Sequence, residues 1–371
     1  MKSKHLILFF SISIITVALS ACAGGATQAS SWPGLTVDEQ NAYVAFNTQV
    51  YSVELENGNE NWRYPNEPDN NTTFFADPSL SQDGQLIVGG YDGVLYSLMA
   101  DTGQMSGGRW PFTEAEGRYI AGPLAVDENI FAPAADDNLY AFDLDGNLQW
   151  TFSSDGESWA QPITDSDCEC LYLSSMEHTV YAIDPVNGSQ IWQSPTLGGS
   201  VVGTPAISEQ DVLYVGTFGG KLFALDGTDG SIIWEFPTEA WIWSGPALAD
   251  GVLYFGDLNG YFYAVDASDG TQIWKKTPEQ LELDKGEIVG TPLVIEEDIY
   301  VGTNNGSLIK FNTSGDVIDE VNVDPKDGRG KIYTSLKTSN GLILVAPIDT
   351  DELLIAYDQD LNEEWSFIPS E

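Results

Sequence analysis

GTPAISEQDVLYVGTFGGKLFALDGTDGSIIWEF, residues 203–236, is followed almost at once by SGPALADGVLYFGDLNGYFYAVDASDGTQIWKK, residues 244–276. Set in register, the two stretches share one grammar. A Gly or Ser and a Pro open a short apolar run, and a polar turn follows. Leu-Tyr begins an alternating run, a Gly-containing turn reverses it, and a third alternating run ends in Ala-x-Asp. After Asp-Gly, a fourth run carries a Trp. Side chains on a strand point alternately to opposite faces, so period-two alternation broken by turn residues spells antiparallel strands joined by hairpins. Each stretch reads as one four-stranded sheet.

Outward from these two stretches the Trp returns as Trp62, Trp110, Trp150, Trp192, Trp234, Trp274 and Trp365, with Asp319 where one member of the series is missing. A period of roughly 40 to 45 residues marks one propeller blade per repeat. The third-run anchor appears as Ser52, Ser97, Ala141, Ala182, Ala224, Ala264, Lys310 and Ala356, which counts eight blades. The first run opens at Pro33, Pro78, Pro123, Pro162, Pro205, Pro246 and Pro292, with Ser335 in the last blade. Pro cannot donate to a ladder and belongs at the first residue of a strand. The chain is therefore expected to be all-β, an eight-bladed β-propeller of four-stranded antiparallel blades over residues 32–371, with no helix after residue 31.

The turn before each Trp has its own physics. Ala182-x-Asp184-x-x-Asn187-Gly188-x-x-x-Trp192 recurs as Ala224-x-Asp226-x-x-Asp229-Gly230-x-x-x-Trp234 and Ala264-x-Asp266-x-x-Asp269-Gly270-x-x-x-Trp274. Gly supplies the positive φ of a tight turn. The small Ala leaves room for an indole, and Asp accepts from turn amides. These residues resemble the tryptophan-docking repeat of the quinoprotein-type, or PQQ-repeat, propellers, and the resemblance covers the whole mature chain. It implies that the Trp lies between adjacent blades and staples them, which makes Trp62, Trp150, Trp192, Trp234, Trp274 and Trp365 structural docking residues. Blade 7 departs from the pattern with Lys310, Asn312 and Asp319 where others have Ala, Asp and Trp. That junction is either held in another way or adaptable.

Ahead of the repeats, Lys2 and Lys4 precede an apolar run from Leu6 to Leu19 and then small residues. This is the layout of a secretory signal peptide, and the run is short for a membrane span. Residues 1–21 read as that leader. It closes on Leu19-Ser20-Ala21-Cys22, which resembles the bacterial lipobox and marks Cys22 as the lipidation site. Residues 22–31, small and polar, read as a flexible lipidated tether. The expected location is the cell envelope, on a membrane outside the cytoplasm through the lipid anchor.

The chain has 14 basic and 56 acidic residues. The leader takes two of the basic ones, leaving 12 against 56, a net of −44. Such a charge repels phosphate backbones and excludes nucleic acid as a partner. The acidic side chains fall mostly in turns, as in Glu39, Asp136, Asp137, Glu296, Glu297 and Asp298, and read as a solvated surface.

Catalytic chemistry finds little to use. His178 is the only histidine after the leader. It aligns with Gly93 and Gly220 at a hairpin tip and reads as a solvated turn residue. Asp143-x-Asp145-Gly146-Asn147 resembles a calcium loop but is the docking turn with one residue removed. Cys168 and Cys170 flank a turn; they could oxidise to a disulfide, stay free or bind metal, and the disulfide is favoured outside the cytoplasm. No catalytic residue and no metal site is assigned.

Two function classes follow from the PQQ-repeat resemblance. One is a PQQ-dependent dehydrogenase with quinone and calcium on the propeller axis. The chain lacks the adjacent-cysteine pair of several such subfamilies and the long lid insertions of the family's alcohol dehydrogenases. The other is a non-catalytic scaffold for a protein or polymer partner, with no cofactor expected; in leader, lipobox, tether and blade number the chain resembles the BamB lipoproteins of the outer-membrane β-barrel assembly machine. Residues just ahead of each first strand should ring one mouth of the central channel. Among them Phe75, Tyr119, Trp159, Trp241, Trp243 and Tyr333 are either a partner-binding set or caps of the inter-blade core, with Phe74 beside them, while blades 5 and 7 offer the aliphatic Val201, Val202, Ile288 and Val289. Trp and Tyr give large contact area with a polar edge.

Overall fold

Alternation and turn chemistry produce the expected sheets in a computed structural model, which describes residues 31–165, 169–281, 286–324, 326 and 328–370. The leader, Cys22, the tether up to residue 30 and Cys168 lie outside the described residues, and so does the Cys168–Cys170 pairing. Blade 5 is typical. Its strands are Ala206–Ile207, Val212–Thr217, Lys221–Asp226 and Ile232–Pro237, paired in sequence order. Ala224 stands opposite Trp234, and a bulge follows between Ala224 and Leu225. The same bulge follows Ser52, Ala141, Ala182, Ala264, Lys310 and Ala356. A bulge adds local twist, and it comes immediately after the pair that carries the Trp. No helix occurs among the described residues.

Eight sheets make eight blades, seven of four strands and one of three. The exception is blade 2, where isolated bridges Leu98↔Met105 and Leu95↔Phe112 stand in for the fourth strand. Seven positions separate Gly103 from Trp110, against four from Gly230 to Trp234. The added segment contains Gly107 and Gly108, and Pro111 follows the Trp; Pro has no N–H to give the ladder.

The core lies between the blades. Eight buried apolar clusters are present, each drawn from two neighbouring blades, the one between blades 8 and 1 included. Blade 8 is wholly C-terminal and blade 1 wholly N-terminal, so the ring closes by side-by-side packing. Ser339 Oγ and Asn340 Nδ2 donate to Asp38 O and Glu39 O at 2.9 and 2.6 Å across that seam.

Over every cluster but the one between blades 7 and 8 sits a Trp. Its Nε1 donates to the carbonyl of the residue after the next blade's docking Asp, or its equivalent: Trp62 to Ala100, Trp150 to Pro185, Trp192 to Gly227, Trp234 to Ala267, Trp274 to Thr313 and Trp365 to Leu55, at 2.8–3.1 Å. The indole face lies against the turn Gly: a Cβ built on Gly230 would meet Trp192 at 2.5 Å, and one on Gly58 would meet Trp365 at 2.6 Å. Trp110, separated from its own turn by the insertion, makes the same bond to Leu144 O at 2.9 Å.

At the junction of blades 7 and 8 the series breaks and the contact survives. Gln359 follows Asp358 as Gly227 follows Asp226, and its carbonyl accepts from Lys310 Nζ at 2.9 Å. The ammonium, nearly buried, also pairs with Asp298 Oδ2 at 2.9 Å and lies 3.8 Å from Asp360 Oδ1. Leu361 occupies the position of the turn Gly, at φ 59°, with its side chain in the inter-blade cluster. Thus Lys310 replaces the indole as donor while Leu361 fills apolar space beneath it. Burial works against the charged lysine, but the Asp298 hydrogen bond and the neighbouring Tyr300 outweigh it and hold its pKa above the ordinary value.

Candidate functional site

The segments entering the first strands are extended, so neighbouring residues point to different places. Three positions before the opening Pro stand Phe75, Ile120, Trp159, Val202, Trp243 and Val289. In blade 8 the strand Lys337–Ser339 puts Leu336, not Ser335, in the Pro position, which makes Tyr333 the seventh member. All seven line two cavities at the mouth of the channel. Aromatic residues come from blades 2, 4, 6 and 8 and aliphatic ones from blades 3, 5 and 7.

One residue earlier the side chain turns inward. Phe74, Tyr119, Val201, Ile242, Ile288 and Ile332 are all buried, several against a Gly on the second strand of the preceding blade. A Cβ on Gly89 would lie 2.4 Å from Tyr119, and one on Gly256 2.2 Å from Ile288. Tyr119 is therefore not a mouth residue: it is completely buried, one position out of phase with Ile120. Its hydroxyl has no hydrogen-bond partner among the described residues, and burial raises its pKa well above that of a free tyrosine.

Across the mouth the rings form a continuous strip. Trp241, exposed, stacks on Phe218 with centroids 5.0 Å apart and planes at 16°. Phe218 touches Trp243 at 5.3 Å, Trp243 meets Trp32 edge to face at 6.3 Å, and Trp32 meets Phe75 edge to face at 5.7 Å. Phe75 packs on Tyr91 at 4.8 Å, and the Arg118 guanidinium sits 4.6 Å over the Tyr91 ring. Edge-to-face and offset arrangements at these distances are favourable in their own right. Trp32 and Trp243 line both cavities and divide them. One, of about 280 Å³, is lined by Trp32, Trp243, Leu258, Glu287, Val289 and Tyr333. The other, of about 150 Å³, lies over the axis with Phe75, Trp159 and Val202 in its wall and Asp77, Gln161 and Thr204 as its polar part.

The polar groups of the axial cavity are largely engaged. Asp77 accepts from Leu35 N at 3.0 Å and pairs with Lys337 Nζ at 2.9 Å. Gln161 Nε2 donates to Pro123 O at 2.6 Å, and Trp159 Nε1 donates to Glu157 Oε2 at 2.9 Å. No group of three or more His, Cys, Asp or Glu side chains among the described residues is arranged to hold a metal ion. Asp143 accepts from Asn147 N, Asn147 Nδ2 and Gln149 Nε2, so it clasps its own turn. His178 sits at a hairpin tip with φ 70°, the position filled by Gly93 and Gly220.

Of the six residues expected at the mouth, Phe75, Trp159, Trp243 and Tyr333 line its cavities and Trp241 lies at the outer end of the strip. Phe75 is itself buried at 8 % exposure and presents little more than an edge. The sequence reading passed over Trp32, Phe218 and Tyr91. Trp32 had a signal, an aromatic just ahead of Pro33 at the first residue read as propeller. Phe218 and Tyr91 lie in second hairpins, whose closeness to the mouth depends on how the blades are tilted.

Comparison with known proteins adds the family. The family model for the outer membrane protein assembly factor BamB matches residues 47–168 and 176–356. Among solved structures, BamB from Moraxella catarrhalis is similar over 89 % of this chain and 96 % of that chain, with a TM-score of 0.71 and 18 % identity. The computationally designed protein Ika8 is similar over 86 % and 94 %, with a TM-score of 0.69 and 13 % identity. These two likenesses concern the fold alone. Comparison with curated protein sequences gives no match.

Proposed function

Since the chain belongs to the outer membrane protein assembly factor BamB family, we propose that it is a non-catalytic, lipid-anchored scaffold of the cell envelope whose aromatic mouth docks a protein of the outer-membrane assembly machinery. Cleavage before Cys22 and acylation of its thiol would place the propeller on a membrane by a tether of about ten residues. A polymer ligand at the same face is the other form of this reading.

The observation that carries the proposal is the aromatic strip on a ring held at every junction. Aromatic side chains of this kind anchor protein contacts because they offer large, rigid, amphipathic area at small entropic cost. The strip runs from exposed Trp241 through half-buried Trp243 and Trp32, which spreads accessible ring area across one side of the mouth. Internal engagement of Asp77 and Gln161 speaks for binding over catalysis, because a quinone with its calcium would need free polar groups near the axis. The net charge of −42 favours a partner surface that is basic or neutral.

Photo-crosslinking tests the proposal. A photoreactive residue at position 241 of the full-length chain, in its native envelope, should trap a barrel-assembly protein, and the same residue at Ile233 on the outer rim should not. Cys22→Ala should abolish the lipid-modified N-terminal peptide and release the protein from membranes. The dehydrogenase alternative predicts saturable binding of PQQ with calcium and oxidation of an alcohol or sugar with an artificial acceptor; we expect neither. Stoichiometric quinone binding that also raises the melting temperature would overturn the scaffold.

A further inference from the structure

The larger mouth cavity has a composition that the scaffold role does not explain. Its walls are three aromatic rings, Trp32, Trp243 and Tyr333, two aliphatic side chains, Leu258 and Val289, and one carboxylate, Glu287. Trp32 and Trp243 stand at 83° to each other with centroids 6.3 Å apart, so they form two faces of a corner. Among the described residues no Lys or Arg lines the space. The nearby Lys331 ammonium is committed to Asp349 Oδ2 at 2.6 Å.

Glu287 is held in place. Asn304 accepts from Glu287 N at 2.8 Å, donates its own N–H to Glu287 O at 3.0 Å, and donates from Nδ2 to Glu287 Oε2 at 2.7 Å. Three bonds to one asparagine fix both the backbone and the carboxylate at the edge of an apolar cavity. A fixed negative charge beside ring faces draws a cation, because the quadrupole of each ring is negative on its face. A chain of net charge −42 reinforces that preference over a wider range.

The choice among cations follows from what the walls lack. A primary ammonium brings three N–H donors, each of which must find an acceptor once water is stripped away. Glu287 and the Tyr333 hydroxyl are the side-chain acceptors among the described lining residues, and they cannot surround an ammonium whose N–H groups diverge. A quaternary ammonium has no N–H at all, and its methyl groups suit apolar walls while its charge suits ring faces and Glu287. Sugars fail for the same reason as primary amines, since their hydroxyls would go unpaired. We propose that Trp32, Trp243, Tyr333 and Glu287 form an aromatic cage for a quaternary ammonium group of the choline type. The cage would hold its cation whether or not the same face also docks a protein.

The group could arrive as a free solute or as a phospholipid headgroup, and two arms of one experiment separate these. The full-length protein is titrated with choline and with tetramethylammonium at matched ionic strength, read by tryptophan fluorescence and calorimetry, beside the neutral isostere 3,3-dimethylbutan-1-ol. Both cations should saturate, and the isostere should bind at least about tenfold more weakly because it keeps the shape and loses the charge. Glu287→Gln should weaken choline several-fold, and Tyr333→Leu and Trp243→Leu at least tenfold, with melting curves confirming that each variant is folded; Trp243→Phe should retain part of the affinity. Phosphatidylcholine vesicles that bind and are displaced by free choline would identify a headgroup site; vesicles that fail to bind while free choline does would identify a soluble cation. No saturable response to either cation, or equal binding of the neutral isostere by the unmodified protein, would overturn the cage.

Discussion

Seven blade junctions in this propeller are closed by an indole and the eighth by an ammonium, yet both donors reach the same carbonyl of the next blade. Trp192 Nε1 donates to Gly227 O at 2.8 Å and Lys310 Nζ to Gln359 O at 2.9 Å. What differs is the rest of the contact. An indole brings apolar area that leans on a turn Gly, and that term carries no charge to titrate. The lysine brings charge, repaid by Asp298 and more weakly by the exposed Asp360, while Leu361 supplies the apolar filling. The carbonyl is the fixed requirement of the junction, because a buried acceptor left unpaired is costly. The side chain that meets it can change if its neighbours change together.

The largest expected effect tests the indole side. Trp192→Ala removes a buried ring and leaves Gly227 O only the long bond from Tyr172 Oη at 3.5 Å, and should cost about 3–5 kcal/mol in chemical denaturation, as for other buried aromatics. A variant that unfolds at the parental midpoint would show that the indole is not a staple.

On the lysine side the effect should be smaller. Lys310→Met keeps most of the stem but leaves Asp298 without its ammonium and Gln359 O with Tyr300 Oη, at 2.9 Å, as its remaining donor, and should cost about 1–3 kcal/mol. Asp298 retains access to water, with a third of its side chain exposed, which keeps the cost below that of a fully buried broken pair. A sharper test rebuilds the usual junction. Lys310→Ala with Asp319→Trp should clash with Leu361, whereas adding Leu361→Gly should recover most of the lost stability. If the double variant melts as high as the triple, Leu361 does not occupy the indole's place.

How much of this was legible beforehand depended on which direction a residue points. Blade number, strand order and the docking turns followed from period-two alternation and Gly placement, which are local properties. The indole's carbonyl acceptor was not readable, since it belongs to the next repeat and is fixed only when blades pack. Blade 7 showed its three departures in sequence, but Lys310 could be identified as the replacement donor only once Gln359 was seen opposite it. Leu361 had a readable signal, a Leu in the Gly slot of Asp358-x-x-Leu361, and gained meaning only beside Asp319. At the mouth, Tyr119 failed for a simple reason: a one-residue error on an extended segment exchanges mouth for core.

Alkaline titration separates the two kinds of junction further. Lys310 has a folded-state pKa raised above its ordinary 10.5. Its contribution is therefore fully present below about pH 10.5 and is lost as pH rises through the raised value. Burial also raises tyrosines, Tyr140 to about 12, so both proteins should weaken above about pH 10, and this background nearly cancels between parent and Lys310→Met. The stability gap between them should stay level from about pH 6 to 9 and close only at strongly alkaline pH. For Trp192→Ala the gap should not close. A Lys310 gap that vanished near neutrality would mean that the ammonium contributes nothing there.

The smallest effect belongs to the mouth, where the same residue type does a different job. Trp241 is 54 % exposed against 7 % for Trp192, and its Phe218 stacking partner is itself only half-buried. Removing it exposes little that was dry, so Trp241→Ala should change stability by less than about 1 kcal/mol, as surface substitutions do. Its ring is nonetheless the most accessible in the strip, so the same variant should lose crosslinking or affinity for the partner out of proportion to its effect on folding. The contrast is measurable in one pair of proteins: Trp192→Ala should lower the melting temperature and leave binding intact in the fraction that remains folded, and Trp241→Ala should do the reverse. If Trp241→Ala instead destabilised the fold by several kcal/mol with binding unchanged, the strip would be part of the inter-blade packing, and the distinction between stapling and binding tryptophans would fail.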